Sequence, residues 1–123
     1  MSIATMDWWV VTNQRIPADT FDVWEGWGHA GEAETSLGIA LFPDLMQMEH
    51  ARGQVPTTDP SVREFWLFEE LTSYGASGAP THATEAKGTA IVNTVVDYMV
   101  PYMRRFEDHG LSYNPQDEPP VQS

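Results

Sequence analysis

A chain of 123 residues with 18 acidic against 6 basic side chains, a formal charge of −12, fits a single domain that can bury roughly two-thirds of its unfolded surface. That charge repels a phosphate backbone and leaves few cations for counterion release, which argues against a nucleic-acid partner. No apolar run approaches the ~18 to 20 residues of a membrane span, so a membrane partner is not expected either. Without cysteine there is no disulfide, no thiolate nucleophile and no Cys-based zinc site, and any metal must be held by His, Asp and Glu. Residues 1–7 lack the basic and apolar segments of a secretory signal, so a cytoplasmic location is expected.

Residues 3–12, IATMDWWVVT, are β-branched and aromatic with no helical start signal, and predict a buried or half-buried strand. A strand there needs a neighbour on at least one side, and is expected to belong to a larger sheet. Residues 13–28 interleave Pro17, Asp19, Asp22, Gly26 and Gly28 with Phe21, Trp24 and Trp27, an unusually aromatic loop. Residues 30–41 predict a helix with Ala33, Leu37, Ala40 and Leu41 on one face, closed by Pro43. Residues 46–60 read mostly as loop, and 64–71, EFWLFEEL, fit a strand or a short helix equally.

A Gly and Ser loop at 72–80 leads into the longest periodic segment, from about residue 82 to 106. Val92, Val95, Val96, Met99, Met103 and Phe106 form one helical stripe there, with Lys87, Asp97 and Arg104 pointing elsewhere. Thr81 or Thr84 caps this helix, and Pro101 predicts a kink or a break near Val100. The chain divides into a body at 1–109 and a polar, Pro-rich tail at 110–123, expected to be disordered or wrapped on a partner.

Chemistry concentrates in GHAGEAETS, residues 28–36, where the aromatic loop turns into a helix. Gly28 and Gly31 allow close backbone approach, and a helix N-terminus offers unpaired N–H groups suited to an oxyanion. His29 and Glu34 can converge if His29 lies in the non-helical approach. The functional reading makes His29 a general acid or base and Glu34 a metal ligand or a ligand-orienting carboxylate. The competing reading makes Glu34 a helix-dipole or capping partner, His29 a hydrogen-bonded structural residue, and Trp24 and Trp27 core or interface side chains. His50, His82 and His109 read as surface residues.

The run GHAGEAETSLGIALFPDLMQME resembles the creatininase-family signature His-x-x-x-x-Glu-Thr-Ser followed by an apolar helix and a Pro-Asp-Leu break, here His29, Glu34, Thr35, Ser36 and Pro43-Asp44-Leu45. A second block, TSYGASGAPTHATEAKG, resembles the Gly-rich loop and helix start near the family's C-terminus through Gly78, Pro80, Ala83 and Gly88. Together with the preceding segment the resemblance covers roughly residues 3–108. It implies part of a three-layer α/β/α fold with a mainly parallel sheet, here a C-terminal half completed by a partner chain. It also implies a two-metal hydrolase acting on a small cyclic amide or related ring, with metal-activated water as nucleophile. His29 would then be the catalytic histidine, Glu34 the carboxylate at the metal, and Trp24, Trp27 and Gly31 the substrate-binding residues.

Two departures qualify this. Gly28 stands where creatininase itself has a Glu, which argues against creatinine as substrate. The family's Glu-x-His-Gly and Asn-Gly-His motifs and its Asp ligand do not occur, so a divalent zinc, manganese or iron would be liganded mostly by a partner polypeptide. A split enzyme, a truncated chain and a degenerate subunit all fit. The preferred expectation is a split subunit, inactive alone, in a hetero- or homo-oligomer. The alternative is a non-catalytic interaction subunit.

Overall fold

The computed structural model describes residues 3–57, 61–62 and 64–111. Of the expected tail, residues 112–123 lie outside the described residues. Among those described there are four α-helices, several 3-10 turns and no strand. None of these helices is long and apolar enough to cross a membrane.

The sequence-based strand at 3–12 is replaced by a helix. Asp7, in extended conformation, accepts the Val10 and Val11 N–H groups at 3.1 and 3.2 Å and starts α1, Trp8–Arg15. The β-branched side chains there are tolerated because α1 packs on the long C-terminal helix: Val11 and Thr12 are buried, and the Arg15 guanidinium lies 4.1 Å from the Tyr98 ring centre. Burial on one side overrides local β preference.

Helix α2, Glu32–Leu41, agrees with the helix expected over 30–41, with extended Gly31 as N-cap and Pro43 opening a 3-10 turn at its end. In the ambiguous segment 64–71 only Phe68–Leu71 is regular, as the short helix α3, where the Glu70 carboxylate accepts the Leu67 N–H at 2.8 Å. In place of the mainly parallel sheet expected, the described residues contain one isolated parallel bridge, Gln54 with Ser77. Its bonds are Gln54 N–H to the Ala76 carbonyl at 3.2 Å and Gly78 N–H to the Gln54 carbonyl at 2.8 Å. Pro56 and Pro80, without N–H groups, and Gly78 at φ 147° stop the ladder from growing.

Helix α4 spans Glu85–His109, and Thr84 rather than Thr81 caps it, its Oγ1 accepting the Lys87 N–H at 3.2 Å. Pro101 does not break this helix: Pro101 and Asp97 both face solvent, where water can replace the lost backbone bond. The main packing is α2 against α4. At their crossing an added Cβ on Gly88 would collide with the Ser36 carbonyl, so only glycine lets the backbones approach this closely. Ser36 is fully buried, donating to the Glu32 carbonyl at 2.6 Å and accepting the Thr84 N–H at 3.1 Å.

The apolar stripe of α4 is only partly covered. Its buried residues are Gly88 and Ile91, whereas Val96 and Met103 are exposed. With 25 residues α4 is about 37 Å long, against about 15 Å for the 10-residue α2, so its second half projects past its partner. Apart from Pro80 and the glycines, the buried apolar side chains among the described residues are Val11, Ala76 and Ile91, fewer than the buried polar set Thr12, Glu32, Thr35, Ser36, Thr72 and Ser77. Each buried side-chain nitrogen or oxygen among them has a hydrogen-bond partner.

Candidate functional site

The site is assembled where the two sequence blocks meet. The Ser77 N–H donates to the His29 carbonyl at 2.9 Å, and the Gly28 backbone, at φ 99°, passes so close to the Ser77 carbonyl that no side chain fits. The loop at 72–80 is braced in turn by Thr72, whose hydroxyl donates to the Ala76 carbonyl at 2.8 Å, and by the Gln54 side chain, which accepts the Ser73 N–H at 2.6 Å.

Beside this junction lies a cleft of about 310 Å³ whose walls include Trp8, Trp9, Thr12, Trp27, His29 and Glu34. His29 is exposed and its ring meets the edge of Phe68, with centroids 5.1 Å apart and planes at 88°. Trp27 also lines the cleft, its indole N–H donating to the Glu25 carboxylate at 3.3 Å. Glu34 reaches back from α2 and accepts the Ala30 N–H at 2.6 Å, a variant of the capping-box contact that also places its charge at the positive end of the helix.

Trp24 and Gly31 are placed differently. Trp24 lines a shallower neighbouring groove with Glu25, Trp27 and Gly28 rather than the cleft of His29. Gly31 is buried as the N-cap of α2, packed against the Trp27 carbonyl, and does not line that cleft. Thus the structure brings His29, Trp27 and Glu34 to one opening, with Trp24 beside it and Gly31 beneath.

The loop that carries the tryptophans is strained. Trp24, Glu25 and Gly26 have φ of 49°, 53° and 76°, and Ala30 has 49°. A non-glycine residue in this region costs of order 1–3 kcal/mol and persists only where its surroundings over-determine it. Next to this loop stands Glu32, which sequence reasoning did not single out. Its buried carboxylate accepts the Asp22 N–H at 3.0 and 3.2 Å and the Val23 N–H at 3.0 Å, directly ahead of the strained turn.

Lys87, which its spacing sets off the apolar stripe of α4, completes the arrangement. Its side chain is 14% exposed and its ammonium bridges Glu32 and Asp22, donating to Asp22 at 2.7 Å and to the His82 carbonyl at 3.0 Å. Burial works to lower its pKa, but hydrogen bonds to Asp22 and then Glu32 outweigh it and hold the ammonium above the ordinary lysine value. Hydrogen bonds from Lys87 and then His82 hold the Asp22 carboxyl below its ordinary value. One signal was available in the sequence: position 87 is the chain's single lysine.

Chemically, the cleft offers an exposed imidazole, an indole face and a carboxylate. It does not by itself fit a metal. One Glu34 oxygen is taken by Ala30 and one Glu25 oxygen by Trp27, and among the described residues no group of three or more His, Asp or Glu converges on one point.

No curated protein and no solved structure matches the chain. Residues 1–103 match the family model described as creatinine amidohydrolase, a match that includes the cleft, the strained loop and both sequence blocks. With most of its length so matched, this chain belongs to the creatininase family, whose members act as hydrolases.

Proposed function

We propose that this chain is one subunit of a metal-dependent hydrolase that opens a small cyclic amide or a related ring. The observation that carries the reading is the convergence of His29, Trp27 and Glu34 on one cleft at the junction of the two family blocks. Trp27, with Trp24 at the rim, supplies a flat apolar surface for a small planar ring. His29 is positioned as proton donor or acceptor to the ring being opened, and the edge contact with Phe68 limits its rotation.

Enzymes of the family are generally metal-dependent. The donors present here do not make a metal set, so the missing ligands, for zinc, manganese or iron, are assigned to a partner polypeptide. Glu34 has its second oxygen available to that set. A second reading is a non-catalytic interaction subunit, favoured by the large apolar side chains left at the surface, with Phe65 93% and Met103 57% exposed.

The test uses the complete assembly. His29→Ala is expected to lower turnover of a cyclic amide by about 10² to 10⁴-fold, the usual contribution of a positioned acid or base, with assembly and metal content unchanged. Full turnover in that variant ends the catalytic assignment and leaves the interaction reading.

A further inference from the structure

We infer that Glu32, through its ion pair with Lys87, is the positioning residue that sets the conformation of the tryptophan-bearing loop and so the shape of the cleft. The inference rests on the reading of that cleft as the substrate site. Three segments meet at the Glu32 carboxylate: the loop through the Asp22 and Val23 N–H groups, α2 through Glu32 itself, and the start of α4 through Lys87.

Stability alone does not account for such a pair. A buried carboxylate and ammonium recover little more than their desolvation cost, and well-packed apolar residues of the same volume are often as stable. What apolar residues cannot do is accept two consecutive backbone N–H groups and fix the chain immediately before a left-handed turn at Trp24, Glu25 and Gly26. That turn is closed by Gly26 N–H to the Val23 carbonyl at 3.0 Å and Trp27 N–H to the Trp24 carbonyl at 2.9 Å, so Val23 links the carboxylate to the cleft wall. Asp22, at the solvent side, and the His82 carbonyl hold the ammonium in register.

Residue-resolved amide exchange in the full-length chain tests this without reference to activity. In Glu32→Gln the amides of Asp22, Val23, Gly26 and Trp27 are expected to exchange about tenfold faster or more, with those of Ile91 and Val95 in α4 unchanged. Lys87→Met is expected to show the same local pattern more weakly, and Lys87→Arg, which keeps a cation with two donors, to restore protection. Acceleration spread evenly over the loop, α2 and α4, or none at all, would overturn the inference. So would failure of both Glu32→Gln and Lys87→Met to fold, since the pair would then hold the whole fold and not the loop. The two readings separate cleanly: a His29→Ala variant with full turnover removes the substrate-site reading while leaving the exchange pattern standing, and unchanged exchange in Glu32→Gln removes the inference while leaving the substrate-site reading standing.

Discussion

The two halves of α4 both carry apolar side chains but lie in very different surroundings. Around its first turns every buried polar group is paired, Lys87 is locked between two carboxylates, and Ile91 is 1% exposed. Beyond Val96 the same helix presents Met99, Met103 and neighbouring aromatics to a groove whose other wall, among the described residues, is residues 3–6. Residues 65–68 repeat the second condition, with Phe65, Trp66, Leu67 and Phe68 all exposed. The first region is complete within this chain. The second leaves large apolar side chains exposed among the described residues, and it is the surface on which the proposed partner can be tested.

That contrast can be broken by substitution along one helix. Ile91→Ala should cost about 2–5 kcal/mol, a large part of the ~5–15 kcal/mol that stabilises a domain. Met103→Ala, about three-quarters of the way along the same helix, should change the stability of the isolated chain by less than about 0.5 kcal/mol. Urea melts of both variants check the difference, and equal costs would mean that the second half of α4 is covered after all.

A charge on the uncovered face probes the partner rather than the fold. Met103→Glu is expected to weaken association in light scattering at micromolar concentration while leaving the melting temperature of the dissociated chain nearly unchanged. A wild-type chain that stays monomeric and well folded would count against a covering partner.

Smaller effects belong to the complete region. Glu34→Gln should lose about 0.3–1 kcal/mol if the side chain serves only the helix dipole and the Ala30 N–H. A concerted loss of metal and turnover in the assembly would show that Glu34 also reaches the metal.

The smallest expected effect is that of pH. Because the folded-state pKa of Lys87 is raised, its stabilisation is fully present below the ordinary lysine value and lost as pH climbs through the raised one. For Asp22, whose pKa is lowered, the contribution is present above the ordinary aspartate value and lost as pH falls through the depressed one. The wild-type melting temperature should therefore drop more steeply in the strongly alkaline range than that of Lys87→Met.

Much of the site was legible from local sequence. The helix over 30–41, the long helix expected over about 82–106, a threonine cap at 81 or 84 and the nearness of His29 to Glu34 each depend on interactions within a few residues, and Glu34 does contact the helix start that its position suggests. Family membership was legible because the two glycine-containing blocks must meet backbone to backbone, which constrains residue identity at each.

What sequence could not decide were outcomes set by partners distant along the chain. Residues 8–15 have strand-like composition, yet they lie against α4 as a helix because Val11 and Thr12 bury there and no strand lies alongside them among the described residues. Spacing sets Lys87 off the apolar stripe of α4 but cannot say what it meets there, because its partner Glu32 lies 55 residues earlier. Composition and spacing determined where α2 and α4 lie and where His29, Glu34 and their glycines cluster. Only the tertiary structure decided which charge is buried and which apolar face is left uncovered, because desolvation and pairing depend on neighbours in space and not on neighbours in sequence.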